Sequence, residues 1–324
     1  MRSDRAIDRS APDASRHVNF LIAGVQKAGT SSLYQLLKRH PAVGLSSVKE
    51  VHFFDDESID WSKPAYDRYH SYFPNRRRAI AWGEATPIYS YWPNALERIK
   101  AYRPDMKLIL LFRDPISRAY SAWSHQRRKG RETLSFAEAI RAGRHRGSKG
   151  PDYVNRHFSY VERGFYGEQL GRCLELFPQR HVLVLDCSQL STDPFGLLER
   201  VASFLGVPAP SDAIQGIQAN TRPRGQQEEP PSPADIELLA DLFAADLNRF
   251  AQLIDYPTTN WPTVQLVQGQ ASAEDVALKF LPSGFDSSKQ SRVMPALHPV
   301  VSSAAILTKR AAAVVRRYAR RVMS

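Results

Sequence analysis

Apolar positions along the chain follow two different periods. Three short runs are apolar at nearly every position: VNFLIAGV at 18–25, KLILLF at 107–112 and HVLVLD at 181–186. Runs this short and dense predict strands buried on both faces of a parallel sheet. Elsewhere apolar residues recur every three or four positions. Leu33, Leu36 and Leu37 do so in SSLYQLLKRHP, which stops at Pro41, and a further helix begins near Pro115 and runs through RAYSAWSHQRRK. GEQLGRCLELF precedes the third run and PFGLLERVASFLG follows it, both with helical spacing. The alternation predicts an α/β fold: a P-loop-NTPase-like central parallel sheet with helices on both faces and its ligand at the carboxyl ends of the strands.

Pro230, Pro231 and Pro233 interrupt the chain before a last helix, ADIELLADLFAADLNRFAQLI, so residues 18–261 read as one domain behind a flexible N-terminus at 1–17. Over 262–299 the pattern fades into scattered Pro, Ser and Gly, which predicts an irregular linker. Residues 300–324 then form a C-terminal helical extension. It has an apolar face of Ile306, Leu307, Val314, Val315 and Tyr318, and carries Lys309, Arg310, Arg316, Arg317, Arg320 and Arg321 without an acid. Such a basic amphipathic helix either makes peripheral contact with an anionic membrane or simply keeps its basic face solvated.

The chain has 324 residues, 43% of them apolar, enough for a sizeable core. Its net charge of +11 attracts anions without choosing among nucleic acid, lipid, phosphorylated cofactor and acidic substrate. Cys173 and Cys187, with no CxxC, make neither a disulfide framework nor a structural zinc site. The first seventeen residues mix Arg and Asp without the apolar run of a secretory signal. No stretch approaches the roughly 20 apolar residues of a bilayer span. The expectation is a cytoplasmic protein, peripheral at the inner membrane face if the tail binds lipid.

The first predicted strand ends in GVQKAGTSSL, 24–33. Gly24 and Gly29 have the spacing of a Walker A loop, but Thr30 stands where its lysine belongs, and the lysine is Lys27. Backbone N–H groups here and the start of the next helix suit a multiply charged anion. Lys27 adds a point charge, and Thr30, Ser31 and Ser32 add hydroxyls. A tight turn with a capping Ser or Thr would look the same in isolation. The second element is LLFRDPISRAYSAW. Arg113 ends a strand, Pro115 opens a helix and Ser121 lies two turns in, so guanidinium and hydroxyl can hold a second phosphate. The competing reading pairs Arg113 with Asp114 at the surface. Two anion sites together predict a ligand with separated phosphates.

QKAGTSSL, KEVHFFD, GEATPIY and RDPISRAYS, in that order, resemble the Golgi-type carbohydrate sulfotransferases, the heparan sulfate group above all. GFYGEQL, the strand ending at Asp186, SQLSTDP and NRFAQLIDY continue the resemblance over 18–261. It implies a member of the family that uses 3′-phosphoadenosine 5′-phosphosulfate (PAPS) as co-substrate, without a metal; the Ala- and Arg-rich composition without a signal or anchor suggests a bacterial one. The sulfuryl group would pass to a hydroxyl, less readily an amine, of a carbohydrate or glycolipid. It implies that Lys27, Ala28, Gly29, Thr30, Ser31 and Ser32 hold the 5′-phosphosulfate, with Lys27 at the bridging oxygen. Arg113 and Ser121 would hold the 3′-phosphate, and Tyr166 joins the cofactor site. Arg222 and Arg224 of NTRPRGQQ would close over it. Glu50 takes the position of the catalytic base, and Lys49 either orients it or contacts the cofactor. Glu84 is a second active-site acid or a ligand of backbone amides, while His52, Phe53 and Phe54 read as packing.

The chain departs from the pattern at Ala85, where heparan 3-O-sulfotransferases carry a lysine, which puts heparan-like acceptors in doubt. It also lacks the relatives' disulfide near the closing loop. Residues 126–149 hold eight Lys or Arg against Glu132 and Glu138, either an acceptor face or a solvated helix and loop. Two other classes compete with this one. A P-loop kinase or NTPase needs its lysine directly after Gly29 and an acid for Mg²⁺ on a neighbouring strand. A nucleic-acid-binding protein would explain the charge but not the strand, loop and helix motifs, and no nucleic-acid partner is expected.

Overall fold

The computed structural model describes residues 18–74, 78–143, 155–210, 229–256 and 258–281. The N-terminus at 1–17, Arg222 and Arg224, and the basic stretch at 300–324 lie outside the described residues.

The described chain runs β1 (Phe20–Gly24), α1 (Thr30–Lys38), β2 (Val43–Leu45), α2 (Tyr66–His70), β3 (Ala81–Ala85), α3 (Ala95–Tyr102), β4 (Lys107–Phe112), α4 (Pro115–Arg128) and α5 (Phe136–Ala142). It continues through α6 (Tyr166–Leu176), β5 (Val182–Asp186), α7 (Gln189–Thr192), α8 (Pro194–Leu205), α9 (Pro233–Leu253), α10 (Pro262–Val267) and α11 (Ala273–Leu278). The strands form one parallel sheet in the order β2-β3-β1-β4-β5. Ile22 stands opposite Ala85, and Phe112 opposite Asp186. This is the α/β arrangement that the alternation predicts.

The three apolar runs become β1, β4 and β5. Leu108, Ile109, Leu110, Leu111 and Phe112 are each 0% exposed, and a fully buried side chain of this size stabilises by about 1.5–3 kcal/mol. β2 and β3 have no counterpart in the sequence pattern. VGL is too short to show a period, and AWGEA carries a glutamate, yet every residue of both strands is buried.

Described residues of 18–113 and 172–210 form one compact unit, those of 114–171 and 229–281 a second. The first holds the whole sheet. It also holds an aromatic cluster in which Phe53 stacks on Tyr69 at 4.8 Å and Phe54 meets Tyr89 edge-on at 5.6 Å.

In the second unit α4 packs on α5 and α9, and α9 on α10 and α11. Pro115 occupies the first turn of α4, and Asp114 caps it by accepting from Ser117 N. The other Asp114 oxygen accepts from the Thr263 amide at 2.8 Å and hydroxyl at 2.6 Å. The Asp114 carboxylate is therefore committed to helix caps, not to a surface pair with Arg113. Residues 262–281, expected to be irregular, contain two six-residue helices. These are too short to show a period; Pro262 starts one, and a Ser272–Asp275 capping box starts the other.

Candidate active site

Because all strands run the same way, the loops that follow β1, β2, β3 and β4 leave from one edge of the sheet, where ligands of such folds collect. Two of these loops carry the chemistry.

The first follows β1. A Cβ at Gly24 would lie 2.5 Å from Ser90 Oγ and 2.8 Å from Leu110 Cδ2, so only glycine fits. Val25 N–H donates to Leu111 O at 2.9 Å and keeps the chain beside β4. The chain then turns through left-handed residues, Lys27 at φ 72° and Gly29 at φ 87°. Gly29 is also the N-cap of α1, and no side chain caps that helix. A helix start left open in this way offers N–H groups and a partial positive charge to an anion.

Ala28 and Thr30 are buried, while Lys27, Ser31 and Ser32 are partly exposed. Arg113 Nη1 lies 3.5 Å from the carbonyl oxygen of Lys27, so the guanidinium leans over this loop. Ser121 is partly exposed on α4, on the same face as Ser117. Tyr166, expected at the cofactor, has no exposed surface. Its ring packs against Phe250 and Trp261 in the aromatic core of its own unit, at 6.1 and 5.8 Å between centroids.

The second loop follows β2. Glu50 and His52 both take left-handed conformations, φ 63° and 56°, which costs about 1–3 kcal/mol per non-glycine residue and persists only where neighbours impose it. Those neighbours belong to β3 and the turn after it. Glu50 N–H donates to Ala85 O at 3.0 Å, His52 N–H points to Thr86 Oγ1 at 3.5 Å, and Phe53 N–H donates to the Tyr89 hydroxyl at 3.1 Å.

The turn aligns an ionic chain. Lys49 Nζ donates to Glu50 Oε1, and the other Glu50 oxygen lies 3.7 Å from His52 Nε2. His52 Nδ1 bonds Asp55 Oδ2 at 2.9 Å. Asp55 and then Glu50 push the imidazole up to about 9, which makes both of its nitrogens donors at neutral pH. His52 in turn, with Lys49, drives the Glu50 carboxyl down to about 2 against its partial burial. Glu50 is thus held ionised while its side chain stays 42% exposed.

His52 is therefore not packing, as its aromatic neighbours suggest; its side chain is 43% exposed and bridges two carboxylates. The spacing of Glu50, His52 and Asp55 is the sequence signal that could have found it. Phe53 and Phe54 do pack, at 4% and 0% exposure.

Glu84 lies beneath this loop, fully buried, and accepts from Thr86 Oγ1 at 2.6 Å and Tyr89 OH at 2.7 Å. Burial outweighs both bonds and raises its carboxyl to about 7. It binds side-chain hydroxyls, where the sequence left a choice between a second active-site acid and a ligand of backbone amides. Ala85 is fully buried beside it.

A family model described as a sulfotransferase domain matches residues 18–232. Heparan sulfate glucosamine 3-O-sulfotransferase 6 of Homo sapiens is 36% identical over 203 residues, 61% of this chain and 55% of that protein. Bifunctional heparan sulfate N-deacetylase/N-sulfotransferase 3 of Homo sapiens is 32% identical over 202 residues, 58% of this chain and 22% of that protein. The crystal structure of a sulfotransferase from Alicyclobacillus acidocaldarius matches with a TM-score of 0.64 at 28% identity, covering 76% of this chain and 98% of that one. The chain thus spans about half, or less, of the length of these curated relatives.

Proposed function

Because the chain belongs to the sulfotransferase domain family, we propose that it transfers a sulfuryl group from PAPS to a hydroxyl of a carbohydrate acceptor. One observation carries the reading: an ionised, half-exposed Glu50 and an uncapped helix start with Lys27 and Arg113 stand on loops from the same edge of the sheet.

The open start of α1, with a lysine in its loop, fits the 5′-phosphate end of such a donor. PAPS supplies the sulfuryl group and leaves negative charge on its 5′-phosphate oxygen. Lys27 stabilises that charge, and the first-turn N–H groups of α1 hold the phosphate. Arg113 takes the 3′-phosphate. Glu50 accepts the acceptor's proton. A carboxylate held near 2 is a weak base, so it removes the proton only as the attacking oxygen bonds to sulfur and the hydroxyl turns strongly acidic. Lys49 and His52, the latter pinned by Asp55, hold the carboxylate for that moment.

The relatives named for heparan sulfate support a carbohydrate acceptor. Two measurements test the reading. Adenosine 3′,5′-bisphosphate should raise the melting temperature, and ATP with Mg²⁺ should not; the opposite result overturns it. Labelled PAPS incubated with oligosaccharides and glycolipids should then label one class, and transfer to neither class refutes the acceptor.

A further inference from the structure

Glu50 and His52 hold backbone conformations that their side chains disfavour, and the groups that impose them converge on one buried carboxylate. The amides of residues 52 and 53 meet two hydroxyls, Thr86 Oγ1 at 3.5 Å and Tyr89 OH at 3.1 Å. A hydroxyl has one hydrogen, and both give theirs to Glu84, at 2.6 and 2.7 Å. A hydroxyl committed as donor on one side presents its lone pairs on the other. Glu84 therefore decides that Thr86 and Tyr89 face the loop as acceptors. The next residue along β3, Ala85, supplies the carbonyl for the Glu50 amide. Three loop amides, at 50, 52 and 53, thus rest on residues 84–86 and Tyr89.

We propose that Glu84 is a positioning residue: through the hydroxyls of Thr86 and Tyr89 it fixes the backbone of residues 50–53 and so aims the Glu50 carboxylate. The proposal rests on the reading of Glu50 as proton acceptor. Glu84 itself is fully buried and reaches the loop backbone through these neighbours. The geometry also assigns a use to a buried acid that the transfer chemistry does not need.

The test is the titration of the His52 imidazole by NMR in the wild type and in Glu84→Gln, Thr86→Val and Thr86→Ser. His52 titrates at about 9 only while the loop holds it between Glu50 and Asp55. The groups facing it are those two on its own loop and Glu84 from β3. Glu84 also attracts His52 through space, so Thr86→Val, which removes a hydroxyl and no charge, is the decisive variant.

His52 should fall toward its ordinary value of 6.5 in Thr86→Val and Glu84→Gln and stay near the wild-type value in Thr86→Ser. Binding of adenosine 3′,5′-bisphosphate should remain within about twofold throughout, since the phosphate loop is untouched. On the acceptor found by the panel, Thr86→Val should lower kcat by about ten- to a hundredfold, the scale of a small misplacement at a reacting centre, with KM unchanged. An unaltered His52 titration in Thr86→Val overturns the proposal. So does an equal shift in Thr86→Ser, or joint loss of bisphosphate binding and fold in all three variants, which would make Glu84 a general core residue. Full turnover in Glu50→Gln would instead refute the proton-acceptor reading and leave the His52 result standing.

Discussion

The loop after β1 and the loop after β2 leave the same edge of the sheet and both pass through left-handed backbone, yet they are built by opposite means. The first uses Gly24 and Gly29, with Lys27 alone of its non-glycine residues at positive φ, and offers backbone N–H groups and a helix start. The second sets Glu50 and His52 at positive φ and offers charged side chains. Backbone donors come with any residue that fits the turn, so an anion site can be written as a spacing of glycines. The second loop needs particular side chains, Glu50 and His52, in a conformation they disfavour. The support for that conformation lies elsewhere in the chain, at Ala85, Thr86 and Tyr89.

Four experiments can break or sharpen this contrast. The largest effect is expected for Glu50→Gln, which should lower turnover on the order of 10²- to 10⁴-fold, the range of general-base catalysis, while calorimetry finds bisphosphate binding intact. If both fell together, the loops would not divide the work. Arg113→Ala should weaken bisphosphate binding by about ten- to a hundredfold, the loss of a charge-assisted hydrogen bond worth about 1.5–3 kcal/mol. Unchanged affinity would remove the guanidinium from the anion site.

Gly29→Ala forces a side chain onto φ 87° and puts its Cβ 2.4 Å from Leu190 Cδ1. It should cost about 1–3 kcal/mol of stability, measured by denaturant unfolding, and weaken bisphosphate binding. A neutral result would mean that the turn does not need a glycine.

The smallest effect concerns pH. Glu84 is raised from 4.5 to about 7, so its contribution to stability is fully present below 4.5 and lost as pH rises through 7. His52 is raised from 6.5 to about 9, so its contribution is lost over the higher window, up to 9. Glu50, lowered from 4.5 to about 2, loses its contribution only as pH falls toward 2. Thermal melts against pH should therefore decline through the near-neutral range. Glu84→Gln should flatten the lower part of that decline and His52→Gln the upper part. An unchanged profile in Glu84→Gln would show that the buried carboxyl does not titrate there.

The same contrast explains what the sequence made legible. FLIAG and KLILLF announce themselves because every position but Lys107 is buried. AWGEA hides as a strand because Glu84 breaks the apolar run, and its burial depends on hydroxyls at positions 86 and 89 that no periodicity records. The phosphate loop and Arg113 could be read from spacing and from the end of a strand. Glu50 came only through resemblance. His52 was masked by Phe53 and Phe54: its spacing from Glu50 and Asp55 is a signal, but no pattern marks the left-handed backbone that turns it toward Glu50. Tyr166 reads as a cofactor contact by motif, and no periodicity shows that its ring packs against Phe250 and Trp261.

The order of the sheet also bears on how the protein is made. β1 lies between β3 and β4, although both partners follow it in synthesis, and the first of them begins only at Ala81. At about 5–20 residues per second, the FLIAG segment waits several seconds on the ribosome with no strand beside it. Its central place in the finished sheet thus leaves both of its edges without a strand partner until β3 has been made.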